Sequence, residues 1–247
     1  MYHVLAYTLN TFGVTNTDMT PIADDIFTVS NGHFLPDRDV SLYGAYVSSA
    51  NLQRAQIVTP KTRQVVPPII YPIQTSLLPP TRPNWMDTRV QPFTLRAVEE
   101  IALQVTIGGA ANERSYGLLF VGTGLDHVPS GDIYTIHGTS TTAAVASTWT
   151  SLAMTLDQTL PAGIYALISS QIQSTNAIAH RWIFKDQSFR PGFMSVTSLG
   201  NYTDRDWYRG GMGMLGKFST VTYPIPQVLC NAADNAHDIL ISFVRIG

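Results

Sequence analysis

Histidine, cysteine and carboxylate side chains are the residues of this chain that could perform acid–base, nucleophilic or metal chemistry. The six histidines are scattered over the sequence, at positions 3, 33, 127, 137, 180 and 237. Two of them adjoin an aspartate, in Asp126-His127 and His237-Asp238, but neighbouring side chains on a strand point to opposite faces. Their spacing therefore predicts neither a catalytic pair nor a metal site.

The carboxylates and the cysteine give no stronger signal. Glu99-Glu100 precedes a strand-like run and is interpreted as the partner of Arg96 in an ion pair. Oxygen ligands for calcium could come from Asp157, Asp204 and Asp206. Their spacing matches no defined calcium-binding loop. The single cysteine, Cys230, cannot form an internal disulfide, and its apolar surroundings favour packing over nucleophilic chemistry.

Sequence motifs of known enzymes are missing as well. The chain contains no G-x-S-x-G elbow, P-loop, H-E-x-x-H, C-x-x-C or G-x-G-x-x-G. We therefore predict no enzymatic activity, no cofactor and no bound metal. The N-terminal run shows no signal peptide, and no run is long and apolar enough for a transmembrane helix.

Charge is scarce and unevenly distributed between residue types. Only 13% of the 247 residues are charged and the net charge is −2, with 12 arginines but three lysines. Lysine suits solvated surfaces, whereas arginine suits buried or interfacial ion pairs. This composition favours a surface covered by copies of the same chain, although a secreted bacterial β-protein could have a similar one. The densest arginine set, Arg82, Arg89 and Arg96, is no polybasic arm, so direct genome binding is expected to be weak or absent.

Strand signals dominate the pattern of apolar residues. In the run 101–107, Ile101, Leu103, Val105 and Ile107 alternate with smaller or polar residues, as in a strand with one buried face. Similar runs, separated by glycine- and proline-containing turns, recur along the chain, and residues 159–184 are interpreted as two strands folded back on each other. One or two helical turns are predicted over 95–100. Many short strands with little helix predict an all-β antiparallel sandwich.

Two segments break this pattern. Residues 60–92 hold eight of the 15 prolines and many apolar residues, and proline cannot donate to a sheet ladder. The segment is interpreted either as an arm that lies across another surface or as a long loop that packs on its own sandwich. Residues 187–212 form a second irregular stretch, rich in Arg, Asp, Trp, Tyr and Gly. It could be a binding surface or an ordered loop in a subunit contact.

Four stretches together resemble the jelly-roll major capsid proteins of small icosahedral viruses, including tailless bacterial or archaeal ones. They are NGHFLPDRDVSLYGAYVSSANLQRAQIVTP (31–60), FTLRAVEEIALQV (93–105), NERSYGLLFVG (112–122) and TWTSLAMTLDQTLPAGIYALISSQIQSTNAIAHRWIF (148–184). The resemblance implies a viral jelly roll with long loop insertions, a single domain over 1–247. The alternative is two compact jelly rolls in one chain. The chain lacks the Arg-rich N-terminal arm of many RNA-virus relatives.

The resemblance also implies a function. It predicts a structural coat protein of the virion, made in the host cell cytoplasm, which self-assembles into an icosahedral shell around the genome. Its partners would be copies of itself and other virion proteins. Residues chosen as candidate contacts between subunits are Pro67, Pro68, Ile70, Tyr71, Trp85, Arg89, Arg190, Trp207, Tyr208 and Arg209.

Two other functions stay open from the sequence. One is a β-sandwich receptor- or carbohydrate-binding module such as a viral spike or fibre head, in which Trp207, Tyr208 and Tyr202 would stack on sugar. The other is a hydrolase on a jelly-roll scaffold, which the lack of a catalytic constellation disfavours. Shells or capsomers seen by electron microscopy would separate the coat protein from a monomeric or trimeric binding module.

Overall fold

The computed structural model describes residues 1–10, 15–64, 66–71, 75, 85–108, 114–195 and 211–247. Within these ranges the chain forms twenty β-strands and one short helix, and fourteen of the strand pairs have an antiparallel register. The predicted all-β antiparallel class is therefore confirmed. In the described part of the chain, no helix is long and apolar enough to cross a membrane.

The chain divides into two compact units. The N-terminal unit comprises the described residues between Val4 and Thr123, and the C-terminal unit comprises Gly124–Gly247 together with Met1–His3. Each unit contains its own pair of larger sheets. The single domain predicted over 1–247 and the alternative of two jelly rolls both stay predictions at this point.

The N-terminal unit contains eleven strands and the helix, within the described residues. In chain order they are β1 (Tyr2–Leu9), β2 (Thr17–Asp18), β3 (Thr20–Pro21), β4 (Thr28–Ser30), β5 (His33–Leu35), β6 (Val40–Ser48), β7 (Leu52–Val58), α1 (Pro60–Arg63), β8 (Met86–Asp87), β9 (Phe93–Leu95), β10 (Ala102–Ile107) and β11 (Ser115–Gly122). One sheet has the order β3-β1-β11-β6-β8, with β9 also on β6, and the other has the order β2-β10-β7.

The two sheets of this unit pack face to face through apolar side chains. Leu103, Val105 and Ile107 of β10 are buried, whereas Gln104 and Thr106 are partly exposed, which confirms the alternation expected for this strand. A Cβ atom on Gly117 of β11 would lie 2.1 Å from Leu103 Cδ2. The backbone of β11 therefore lies directly against a side chain of the opposite sheet.

The helical turns predicted over 95–100 are wrong. Residues 93–95 form β9 instead, and Val98 has the left-handed φ of 60°. Ala97 N donates to the carboxylate of Asp39, and Val98 N donates to Pro36 O. These tertiary hydrogen bonds satisfy the backbone of the segment without a helix.

The described residues of the C-terminal unit form the other nine strands. They are β12 (Ile133–Ser140), β13 (Trp149–Ser151), β14 (Thr155–Leu156), β15 (Ile164–Gln173), β16 (Ala177–Ile183), β17 (Gly192–Met194), β18 (Gly216–Ser219), β19 (Ile225–Cys230) and β20 (His237–Arg245). One sheet has the order β14-β12-β20-β15-β18 and the other the order β13-β19-β16-β17.

The turn between β15 and β16 carries the chain from one sheet to the other. The interpretation of 159–184 as two strands folded back on each other is therefore wrong, because β15 pairs with β18 and β20, and β16 pairs with β17 and β19. On β15, Ala166 and Ile168 are fully buried with Val244, whereas Ile164 is 49% exposed. The two strands face each other across the sandwich interior.

Candidate functional site

A buried hydrogen-bond chain joins the two sheets of the C-terminal unit. Trp182 Nε1 donates to Ser170 Oγ at 2.8 Å, and Ser170 Oγ lies 2.8 Å from His180 Nε2. His180 Nδ1 lies 3.2 Å from Ser195 Oγ. Since the Ser170 hydroxyl accepts from the indole, it can donate its own proton to Nε2, which places the imidazole proton on Nδ1 towards Ser195.

A serine next to a histidine suggests nucleophilic catalysis, but burial opposes it here. His180 and Ser195 are fully buried and Ser170 is 1% exposed. Desolvation lowers the pKa of His180 to about 3, so the ring is neutral at physiological pH. A substrate could not reach the Ser170 hydroxyl, and the chain of hydrogen bonds serves to join β15 to β16.

A second polar group surrounds Arg181, the residue after His180. Arg181 is 2% exposed, its Nε donates to Gln227 Oε1 at 2.7 Å, and its guanidinium lies 4.3 Å from the centre of the Trp149 ring. His3 Nδ1 accepts a hydrogen bond from Arg190 N at 3.0 Å. Buried cations are tolerated only when they are hydrogen-bonded or stacked in this way.

A third cluster brings together three residues that are far apart in sequence. His137 Nδ1 lies 2.6 Å from Asp157 Oδ2, and His137 Nε2 lies 3.0 Å from Asp238 Oδ1. The hydrogen bond to Asp157 is the largest cause that raises the pKa of His137 above its usual 6.5. Sequence spacing gave no signal for this cluster, because its members come from β12, from the residue after β14 and from β20.

The other candidates for chemistry are placed as follows. Asp157, a candidate calcium ligand, bonds to His137, while Asp204 and Asp206 lie outside the described residues. Among the residues that the structure describes, no group of His, Cys, Asp or Glu is arranged to hold a metal. Cys230 is fully buried, which raises the pKa of its thiol to about 12 and keeps it protonated.

The proline-rich segment supplies several of the candidate contacts, and its residues 66–71 lie along β7. Ile57 N donates to Pro68 O at 2.9 Å, Ile70 N donates to Ala55 O at 2.8 Å, and Ile69 forms an antiparallel bridge with Gln56. Residues 66–71 thus cover the edge of the sheet β2-β10-β7, as expected for a loop that packs on its own sandwich.

Exposure separates the residues of this segment. Ile70 is 1% exposed, Pro67 and Pro68 are half-buried, and Tyr71 is 75% exposed. Tyr71 is therefore accessible to a neighbouring subunit, whereas the Ile70 side chain packs inside its own unit.

Replacement of the two adjacent isoleucines tests this placement. We expect Ile70→Ala to lower the free energy of unfolding by about 2–5 kcal/mol, because the side chain is buried. Ile69→Ala is the matched control and should cost about 0.5 kcal/mol or less, since Ile69 is 51% exposed. Urea unfolding measures both. If Ile70→Ala keeps its stability and instead loses self-association, the segment acts as an arm on a neighbour.

The remaining candidate contacts divide into three groups. Trp85 is 8% exposed and packs edge-on against Phe120, with 5.2 Å between the ring centres. The Arg89 guanidinium lies 5.4 Å from the centre of the Trp85 ring and also bonds to Asp87. Arg190 Nη1 donates to Gln187 O at 3.0 Å. Trp207, Tyr208 and Arg209 lie outside the described residues. The role of all ten residues in subunit contacts stays a prediction.

The C-terminal unit carries two concave surfaces. A groove of about 560 Å³ lies between Met154 and Leu156 on one side and Tyr223 and Ile225 on the other, and none of its described lining residues is charged. A cavity of about 280 Å³ has Lys185 and Lys217 among its lining residues. Neither surface includes the buried His180 chain.

Taken together, the fold and these groups define an all-β chain of antiparallel sheets whose polar clusters join strands to one another. The sequence matches no protein-family model and no curated protein. Among solved structures, the crystal structure of the major capsid protein P2 from Bacteriophage PM2 matches with a TM-score of 0.27 and 12% sequence identity, over 100% of this chain and 98% of that chain.

Proposed function

We propose that this chain is a structural coat protein that assembles with copies of itself into a viral shell, and that its two units are two jelly rolls in tandem. The observation that carries the proposal is the strand pairing within each unit. A jelly roll consists of eight strands in two sheets built from two Greek keys, and viral capsid domains are among the proteins that use it.

In the C-terminal unit, eight of the strands pair as a long ribbon folded over on itself. Taken in chain order without the two-residue β14, the first strand pairs with the eighth, the second with the seventh, the third with the sixth and the fourth with the fifth. These pairs are β12 with β20, β13 with β19, β15 with β18, and β16 with β17. This nested pairing distributes the strands over two sheets in jelly-roll order.

The N-terminal unit has the same nested order. Its pairs are β1 with β11, β2 with β10, and β6 with β8 and β9. The fourth pair is formed by β7 and residues 66–71, through the bridge between Gln56 and Ile69. The proline-rich segment takes the place of a short strand, which explains how a stretch that cannot form a central strand still completes a sheet.

The surface composition supports self-association over binding of nucleic acid. Large apolar side chains are exposed, among them Tyr71, Val90 and Val221, while the whole chain has only 15 basic residues. Exposed apolar groups are buried favourably when copies meet, and unpaired charges at such contacts are costly. We therefore place the chain in the virion, with copies of itself and other virion proteins as partners and with no enzymatic role.

Electron microscopy of purified, nuclease-treated protein tests the proposal. Closed shells, or ring-shaped capsomers of uniform size, are expected. Monomers at high concentration, with no larger species by size-exclusion chromatography, would contradict a coat protein and favour a binding module.

Salt gives a second test of what holds the subunits together. Apolar contacts are not screened, so we expect the assembled fraction to stay constant or rise between about 0.1 M and 1 M salt, where the Debye length falls from roughly 10 to 3 Å. Light scattering of nuclease-treated protein measures the assembled fraction. Association through many phosphate contacts would instead weaken by orders of magnitude over this range. Particles that need added nucleic acid would therefore show that electrostatic contacts dominate.

A further inference from the structure

The cluster of His137, Asp157 and Asp238 connects an edge segment to a central strand of the C-terminal unit. His137 belongs to β12, and Asp238 belongs to β20, which is held on both sides by β12 and β15. Asp157 follows β14, which has two residues and, among the described strands, pairs with β12 alone. Asp238 therefore lies on a strand that is paired along both edges, whereas Asp157 follows a short strand that is paired along one edge.

Residues 154–159 are held to the sheet at few points. Upstream, Leu152 N donates to Pro226 O at 2.8 Å and Ala153 N donates to Thr142 Oγ1 at 3.0 Å. Downstream, Leu160 is buried. Between these anchors, the segment is held by the two-residue register of β14 on β12, by the hydrogen bond from Asp157 N to His137 O at 3.0 Å, and by the carboxylate of Asp157 on the imidazole.

The number of protons on the imidazole decides whether both carboxylates can be bonded. A protonated histidine has two N–H donors, and a neutral one has a single donor and a single acceptor. Since each ring nitrogen of His137 faces a carboxylate oxygen, only the protonated ring donates to both. When the ring loses its proton, one nitrogen lone pair points at a carboxylate and that contact becomes repulsive.

We infer that His137, Asp157 and Asp238 form a pH-dependent latch, which holds residues 154–159 against β12 while His137 is protonated and releases them when His137 becomes neutral. Asp157 is the carboxylate that moves away, because Asp238 lies on a strand paired along both edges. The inference is independent of the proposed function.

Within the described part of the chain, no other charged group explains the effect. Asp157 and Asp238 are the charged residues that act on His137. His237 precedes Asp238, but its Nε2 lies 3.0 Å from Thr142 O on the opposite face of β20. On β15 the residue paired with Asp238 is the neutral Gln173. The latch therefore depends on the titration of one histidine between two carboxylates.

The direction of the pH dependence follows from linkage. The hydrogen bond to Asp157 is the largest cause that raises the pKa of His137, so the closed form binds the proton more tightly than the open form, in which only Asp238 still bonds to the ring. The stabilisation is complete at pH values below the pKa of the open form and is lost as the pH rises through the higher pKa of the closed form. Met154 and Leu156 lie in the released segment, so one wall of the apolar groove loosens at alkaline pH.

Hydrogen exchange followed by mass spectrometry tests the latch in free or assembled protein. The exchange rate of the His137 Cε1 hydrogen gives the pKa of this side chain, and the amide protection factors of 154–159 report its opening. We expect an elevated pKa and a protection factor that falls between pH 6 and pH 9. Each pKa unit by which His137 in the wild-type protein exceeds His137 in Asp157→Asn corresponds to about a tenfold loss of protection, so the two measurements must agree.

Three variants make the test specific. Asp157→Asn should lower the pKa of His137 and abolish the pH dependence of protection, and His137→Gln should give low protection at every pH. The matched control is Asp132→Asn, which removes an exposed carboxylate just before β12 without touching His137. The latch is excluded if protection of 154–159 in the wild-type protein is the same at pH 6 and pH 9. It is also excluded if Asp157→Asn and Asp132→Asn change the His137 pKa equally.

Discussion

Replacement of Gly44 by alanine is expected to destabilise the N-terminal unit by about 3 kcal/mol or more, because the added methyl group collides with a buried indole. Gly44 lies within β6 opposite Phe120, and a Cβ atom there would lie 1.8 Å from Trp85 Cζ3. Carbon atoms do not approach so closely, and the ring cannot move freely because it packs on Phe120 and under Arg89. Urea unfolding, monitored by the amide hydrogen exchange of residues 40–48, measures the loss of stability.

Trp85→Ala and the double variant complete the experiment. Removal of the indole alone should cost about 3–5 kcal/mol. In the double variant the new methyl group occupies space that the indole has left, so its cost should be smaller than the sum of the single costs by about 1–3 kcal/mol. Additive costs would mean that Gly44 and Trp85 do not pack against each other.

The same variants decide between two roles for Trp85. The sequence suggested Trp85 as a contact between subunits, and its 8% exposure suggests packing inside the N-terminal unit. If Trp85→Ala keeps its stability but loses self-association, the contact lies between subunits. A loss of stability in the free chain supports the packing role.

The strands that could be predicted are those with one buried and one polar face. The run 101–107 is an example, because alternate residues of β10 point towards the opposite sheet. The pairing of β15 and β16 could not be predicted in the same way. A turn signal at 174–176 indicates that the chain reverses, but it does not say whether the next strand joins the same sheet. The actual partners, β18, β19 and β20, lie far along the sequence.

The histidine–aspartate cluster shows a different limit. Asp157 is 20 residues from His137, and Asp238 is 101 residues away. Only the register between β12 and β20, together with the short edge strand β14, brings the three side chains together. Short-range spacing carries no information about such a register, and the sequence offered Asp157 only as a possible calcium ligand beside Asp204 and Asp206, in a spacing that matches no defined loop.

The buried hydroxyl and imidazole groups of 159–184 were also unpredictable in detail. The composition shows only that this stretch is rich in neutral hydrogen-bonding side chains and poor in charge. It could not indicate that Ser170 would bond to Trp182 and His180 across the sandwich of its own unit. That arrangement follows from the change of sheet between β15 and β16, which places the two strands on opposite walls of one core.

Acidification is expected to destabilise the C-terminal unit through His180, in the opposite direction to the effect of His137. Burial lowers the pKa of His180 to about 3 in the folded chain, against about 6.5 when unfolded. Between these values the unfolded chain binds more protons than the folded one. The stability associated with the neutral ring is therefore complete above about pH 6.5 and is lost as the pH falls towards 3.

The comparison of His180→Gln with the wild-type protein isolates this effect, because the carboxylates titrate in both. From pH 7.5 to 4.5, the wild-type protein should lose about 2–3 kcal/mol more than the variant, since each pH unit in this window contributes about 1.4 kcal/mol. Urea titrations, monitored by the amide hydrogen exchange of residues 177–183, report on the stability of the C-terminal unit alone. Glutamine can still accept from Ser170 and donate to Ser195, so the variant should fold. Parallel pH profiles for the two proteins would show that His180 is protonated in the folded chain, which the hydrogen bond from Ser170 to a neutral Nε2 does not allow.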